Sequence, residues 1–277
     1  MDFMKMHGLG NDFVLFDCLS GSSTRTDAEW AALAEKVCDR HFGVGADGIL
    51  VALPSECADV RMRIWNGDGS EAEMCGNGVR CLARYARDRG MATDHLRVET
   101  LAGLLELTFP GGAGDVRVDM GPPRLAPREI PVHAEGDRAL AVRVPVNGRA
   151  LEVACVSMGN PHAVTFIGAD ELAALPLHEI GPLVERHELF PERTNFHAVA
   201  VASPHSATVR VWERGVGPTL ACGTGACAVT VAGVLSGRLA SPVDVTLPGG
   251  TLRIEWEQGG SVFMTGPTEY VFRGTWL

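Results

Sequence analysis

The 277-residue sequence predicts an α+β fold made of two pseudo-symmetric modules, each a curved, mostly antiparallel sheet wrapped around a central helix. Two observations carry this. The first is an internal repeat: "RMRIWNGDGSEAEMCGNG" (61–78) lies over "TVRVWERGVGPTLACGTG" (208–225), with Arg63 on Arg210, Trp65 on Trp212 and Cys75 on Cys222, all 147 positions apart. "LGNDFV" (9–14) likewise lies over "MGNPHAV" (158–164), pairing Asn11 with Asn160 at an offset of 149. Between them "FGVGADGILVAL" (42–53) falls roughly over "PERTNFHAVAVA" (191–202), which pairs Gly48 with Asn195. Matches in one order at nearly one offset are the signature of a duplicated unit. The second observation is "GACAVTVAGVLSG" (225–237), a helical stretch apolar on every side. Such a helix is buried all round, so strands must wrap it.

The elements follow in order. "DFVLFDC" (12–18) reads as an alternating strand. Thr26 and Glu29 form a capping box ahead of Trp30, Leu33, Ala34 and Val37, which share one helix face. "GVGADG" (43–48) runs directly into "ILVAL" and is therefore a turn before a strand. "DVRMRIW" (59–65) alternates with Val60, Met62 and Ile64 inward. A polar glycine loop leads to Cys75, then to a helix stopped by Gly90. "MGPPRLAPREIPV" (120–132), with four prolines, reads as the connection between modules, and the last residues are expected to return to the first. The expected domains are 1–120 with 266–277, and 121–265.

Composition narrows the function. A formal charge of −10 argues against nucleic acid or an anionic membrane as partner, leaving a small molecule. No apolar run approaches the roughly 18 residues of a membrane span, and the amino terminus lacks a signal-peptide core, so a cytoplasmic location is expected. Eight cysteines without a C-x-x-C motif read as thiols. Cys75 and Cys81, like Cys222 and Cys227, are spaced wrongly for one helix face, so neither pair is expected to hold a metal. Cys18, Cys38, Cys57, Cys81, Cys155 and Cys227 are expected to be small buried hydrophobes. Lys5 and Lys36 are the only lysines, neither placed for a pyridoxal Schiff base, and no phosphate loop is present; no cofactor is expected.

The chemistry gathers at the two cysteines. A thiol just before a helix start faces unpaired backbone N–H groups and the positive end of the dipole, which favours thiolate. The glycines beside it admit a ligand to those N–H groups, a ready cradle for a carboxylate. Two such corners facing across a cleft would suit inversion at a carbon that bears a proton: a thiolate takes the proton from one face and a thiol returns one to the other.

These residues resemble those of the diaminopimelate epimerase family, pyridoxal-independent enzymes that interconvert LL- and meso-diaminopimelate on the way to lysine and peptidoglycan. The resemblance spans the chain and rests on "HGLGNDFV", "NGDGSEAEMCGNGVRC", "MGNPHAV", "ERTNFHAV" and "WERGVGPTLACGTGACA". It implies that Cys222 takes the proton from the LL substrate and that Cys75 returns one, with His162 and Glu213 tuning or orienting the thiols. It implies substrate contacts from Asn11, Asn66, Asn160, Asn195, Glu213 and Arg214, and a carboxylate cradle from Gly76, Asn77, Gly223 and Thr224. It implies a homodimer with Phe272 at the interface. One departure is Gly48, where some members carry glutamine. The other histidines, His197 among them, read as structural, with His7 undecided. Two alternatives stand beside this reading: a cofactor-free epimerase of proline, hydroxyproline or histidine type, and a thiol redox protein.

Overall fold

The computed structural model describes residues 1–21, 25–111 and 114–277. The chain divides into two compact units, Met1–Asp119 with Thr265–Leu277, and Met120–Met264.

In the first unit β1 (Asp2–Gly8) and β2 (Asn11–Asp17) form a hairpin, and α1 (Asp27–Cys38) follows. Strand β3 (Gly48–Leu53) lies parallel to β2, and β4 (Val60–Asn66) returns antiparallel. The short β5 (Glu71–Ala72) then leads to α2 (Gly76–Asp88), and β6 (His95–Thr100), β7 (Gly103–Thr108) and β8 (Asp115–Asp119) complete the run. The capping box forms as the sequence predicts: Glu29 N–H donates to Thr26 Oγ1 at 3.3 Å, and Thr26 N–H to the Glu29 carboxylate at 2.7 Å. It sets α1 so that Trp30, Leu33, Ala34 and Val37 enter a cluster with Val14, Phe16, Ile49, Val51 and Trp65. Trp30 stacks on Trp65, ring centroids 5.8 Å apart. Helix α2 packs against β1, β2, β4, β6 and β8 and buries Val79, Cys81, Leu82, Ala83 and Ala86. It ends at Gly90, whose φ of 78° supplies the left-handed stop. With helices contacting it from both sides, β2 does not alternate: Phe13, Val14, Leu15 and Phe16 are all buried. Strand β4 alternates as expected, with Val60, Met62 and Ile64 inward.

The second unit repeats this plan. It comprises β9 (Val142–Val146), β10 (Arg149–Ser157), β11 (Pro161–Phe166), α3 (Ala169–Ala174), α4 (Leu177–Glu185), β12 (Asn195–Ser203) and β13 (Ser206–Glu213). Then come β14 (Gly217–Pro218), α5 (Gly223–Leu235), β15 (Val243–Leu247), β16 (Gly250–Trp256) and β17 (Val262–Pro267). The last strand, β18 (Glu269–Thr275), belongs to the first unit and pairs antiparallel with β1 there, as β9 does with β10 in the second. The registers correspond residue for residue. Phe13 faces Gly48 across parallel β2 and β3, and His162 faces Asn195 across parallel β11 and β12. Ile49 faces Trp65, and Phe196 faces Trp212. Within each unit the strand pairing is mixed, with antiparallel pairs in the majority. Helix α5 is buried through Gly225–Gly233, as its uniform apolarity requires.

Two expectations need correction. The proline-rich segment is not merely connective, because Ile130 and Val132 belong to the core cluster of the second unit. Cys57 is exposed, in a turn with Ser55.

Candidate functional site

Each of the two cysteine corners is an N-cap. Cys75 holds extended φ and ψ of −139° and 120° before α2, and Cys222 holds −120° and 104° before α5. A thiol is a weaker cap than a serine hydroxyl, and the glycine-rich first turns leave the helix N–H groups near the sulfur. Gly225 is required by space, and Gly78 is closely packed. A Cβ at Gly78 would lie 3.0 Å from Leu50 Cδ2, and one at Gly225 would lie 2.3 Å from His197 Cε1 and 3.0 Å from Cys222 Sγ.

At the first corner, the Cys75 thiol donates to Asn11 Oδ1 at 3.6 Å, and Asn77 Nδ2 donates to the same oxygen at 3.0 Å. The buried Arg80 donates to Asn77 Oδ1 at 2.9 Å and to the Gly76 carbonyl at 3.2 Å, fixing the first turn of α2 from below. Asn11 Nδ2 donates to Asp47 Oδ2 at 2.7 Å. Asn66, exposed at the end of β4, donates to Ser70 Oγ at 2.9 Å. Gly48 is buried opposite Asn66, and a Cβ there would stand 2.6 Å from the Trp65 carbonyl oxygen. A glutamine at this position therefore requires a shifted backbone.

At the second corner Cys222 is buried, and its thiol hydrogen-bonds Glu213 and Thr224. Thr219 Oγ1 donates to Glu213 Oε1 at 2.5 Å, holding that carboxylate. The expectation that the helix start lowers the pKa of this thiol is overturned. Burial pushes the Cys222 pKa well up and the Glu213 charge pushes it further, against the opposing Thr224 hydroxyl and Gly225 N–H. His162 Nε2 donates to Asn160 Oδ1 at 2.9 Å, which leaves Nδ1 to accept from His197 Nε2 at 2.9 Å. Both rings are neutral: burial first, then His197 and Arg214, hold the His162 pKa far down, and burial takes His197 to about 3.

The amide of Asn195 bridges backbone, donating to the Pro161 carbonyl at 2.8 Å and accepting from Arg214 N–H at 2.9 Å. The Arg214 side chain reaches the Glu192 carbonyl at 2.9 Å. The loop that carries Glu213 and Arg214 is tied down by the buried Glu185, which accepts from Trp212 Nε1 at 2.7 Å and from Gly215 N–H at 3.1 Å. Gly223 and Thr224 form the first turn of α5, as Gly76 and Asn77 form that of α2.

Three residues at these corners escape the sequence reading. Asp47 orients Asn11 from a turn that looked like mere connection. Arg80 sits in a helix whose other buried residues, apart from Asn77 and Tyr85, are small or apolar. His197 reads as structural, yet the repeat offset of 147 places it on the apolar Leu50, a signal that was legible. Burial also raises three other thiols, taking Cys38 up to about 11, and Cys81 and Cys155 up to about 12.

The duplicated fold is shared with solved structures of PhzF-family proteins and of a hydroxyproline epimerase. A Bacillus anthracis phenazine biosynthesis protein of the PhzF family superposes with a TM-score of 0.72 at 18% identity, over 100% of this chain and 99% of its own. A hydroxyproline epimerase from Agrobacterium vitis gives 0.66 at 15% identity, over 99% of this chain and 91% of its own. The sequence is more particular than the fold. The diaminopimelate epimerase family model matches residues 3–126 and 154–271, and the chain belongs to that family of isomerases. A diaminopimelate epimerase of Desulforudis audaxviator is 54% identical over 281 residues, covering 100% of this chain and 99% of its own. One of Desulfitobacterium hafniense is 51% identical over 282 residues, covering 100% and 98%. Among the described residues no helix is long and apolar enough to cross a membrane.

Proposed function

We propose that this chain interconverts LL- and meso-2,6-diaminopimelate in the cytoplasm, without a cofactor, as a step toward lysine and peptidoglycan. The observation that carries the reading is the doubled corner: the same N-cap thiol, the same glycine-rich first turn and the same strand register occur once in each unit. A stereocentre has two faces, and proton exchange across it needs one acid/base group for each.

In this reading Glu213 receives the proton of the Cys222 thiol, to which it is already hydrogen-bonded. The thiolate takes the α-proton of the LL substrate, and the Cys75 thiol returns a proton to the opposite face. The raised pKa of Cys222 suits this role. A thiolate generated only when the substrate's α-ammonium arrives is strongly basic and has no water to satisfy it. Cys75, donating to Asn11 Oδ1, is held as the thiol that the second step needs. Backbone N–H groups of Gly76, Asn77, Gly223 and Thr224 hold the reacting carboxylate and stabilise charge that spreads into it from the carbanion. Asn160 and His162 form one connected set beside Cys222, while Asn11, Asn66, Asn195 and Arg214 recognise the substrate's amino-acid groups. The acting enzyme is a homodimer with Phe272 at its interface, and its two halves are residues 1–120 with 266–277, and 121–265.

The test is isotopic. LL-diaminopimelate incubated with enzyme in deuterated water gains one deuterium at the inverted α-carbon as meso product appears. Replacing Cys75 or Cys222 by alanine abolishes inversion, whereas Cys81→Ala or Cys227→Ala retains it. Inversion without label, or inversion by either single-cysteine variant, rules the two-thiol reading out.

A further inference from the structure

Cys222 shares its corner with a histidine pair that the fold does not require. The module register places His162 on Phe13 and His197 on Leu50, so the first unit fills the same two positions with buried hydrocarbon. Burying two imidazoles where an apolar pair suffices costs desolvation, and one ring atom goes uncompensated. His197 Nδ1 is buried without a hydrogen-bond partner. With Nε2–H given to His162, that Nδ1 carries an unengaged lone pair.

We propose that His162, His197 and Cys222 form a binding site for a first-row divalent cation of zinc type, and that the bound ion silences the thiol. One nitrogen of each ring and Cys222 Sγ lie within 4.8 Å of one another, all buried. Nitrogens at about 2.0–2.1 Å and sulfur at about 2.3 Å from a tetrahedral ion stand roughly 3.3–3.6 Å apart, so small ring movements complete the site. Two imidazoles and a thiolate select zinc, cobalt or copper over magnesium or calcium. Such a set leaves the fourth position of a tetrahedron open. Binding releases the thiol proton and shifts the His197 proton from Nε2 to the unengaged Nδ1, which frees Nε2 beside His162 Nδ1 as a ligand. Glu213 beside the sulfur supplies the second negative charge that balances a dication. The site stands on this donor geometry alone; only its consequence, inhibition, rests on the proposed role of Cys222.

Cobalt(II) is the probe. Titrating the reduced, metal-free protein produces, at one equivalent, a near-ultraviolet thiolate-to-cobalt band with the visible bands of a four-coordinate ion, all displaced by zinc. Cys222→Ala removes the thiolate band. His197→Leu, which installs the residue of the first unit, weakens cobalt binding at least tenfold. Cys75→Ala keeps the band while losing epimerisation, so the metal site and the two-thiol mechanism are scored separately. Far-ultraviolet circular dichroism checks that each variant is folded. Absence of the band at one equivalent, or its survival in Cys222→Ala, overturns the site even if the enzyme epimerises normally.

Discussion

Asn11 donates its amide nitrogen to Asp47 Oδ2 at 2.7 Å, and this decides where its oxygen points. A carboxylate accepts only, so the nitrogen must face Asp47 and the oxygen must face the Cys75 thiol and Asn77. Asp47 is itself anchored by Asp12 N–H at 3.0 Å and by Arg40 at 2.8 Å. Asp47→Ala frees the amide to turn its N–H groups toward the sulfur. The expected result is a fall in kcat on the order of tenfold to a hundredfold with little change in melting temperature, because the misplaced group lies at the thiol and not in the core. Steady-state kinetics beside thermal unfolding separates the two effects.

Gly78 and Gly225 occupy equivalent positions but tolerate a methyl group differently. At Gly78 the added Cβ meets the flexible end of Leu50 at 3.0 Å, whereas at Gly225 it meets the His197 ring at 2.3 Å, with Cys222 Sγ at 3.0 Å. The ring is held by its hydrogen bond to His162 and cannot give way alone. Gly225→Ala should lose about 1–3 kcal/mol of stability and most of its activity, and Gly78→Ala distinctly less of both. Parallel urea melts and rate measurements on the two variants decide it; equal losses would contradict the asymmetry.

Most of the fold could be read from the sequence because the duplication supplies its own alignment. The 147-residue offset pairs Trp65 with Trp212 and Cys75 with Cys222, and strand registers then reproduce that pairing. What escaped depended on contacts distant in sequence. Strand β2 looked half-exposed because periodicity at Phe13–Phe16 cannot reveal that helices pack against both its faces. The Cys222 pKa departs from what the helix start predicts for a related reason: the favourable helix start is local, while the burial and the Glu213 charge that outweigh it are tertiary. The His162–His197 pair joins residues 35 positions apart, and neither signals the other without strand register.

Glu213 has opposing effects that one substitution can separate. Its charge raises the Cys222 pKa, and the proposed mechanism uses it to accept the thiol proton. Glu213→Gln should therefore make the resting thiol more acidic and the enzyme slower, by about 10²–10⁴-fold in kcat. The pH dependence of Cys222 alkylation should shift toward lower pH in the variant. A parallel rise in thiol acidity and in turnover would show that Glu213 is only an inhibitory charge.

Asp12 links the first corner to acid stability. Burial alone would raise its pKa, but hydrogen bonds from Arg40 and Lys5, with their charges, hold it below the ordinary carboxylate value. A folded pKa below the unfolded one gives stability that is present above about pH 3.9 and lost as pH falls through the folded value. Unfolding free energy measured between pH 5 and pH 2.5 should fall for the parent chain with a slope component of up to about 1.4 kcal/mol per pH unit. Asp12→Asn should lack that component, since an amide does not titrate. Identical slopes in the two proteins would place the acid-sensitive carboxylate elsewhere.

Phe272 tests the proposed homodimer. It projects from β18 with 47% of its surface exposed, beside Val271 at 53%, while its ring edge packs on Phe3 at 5.9 Å between centroids. Adjacent exposed apolar side chains on one strand suit an interface better than water. Phe272→Asp should convert a dimer to a monomer in sedimentation velocity at micromolar concentration. Phe42, 92% exposed on the loop after α1, supplies the control, because Phe42→Asp removes an equally apolar surface without touching β18. A parent chain that sediments as a monomer, or a Phe272→Asp variant that remains dimeric, would reject β18 as the interface.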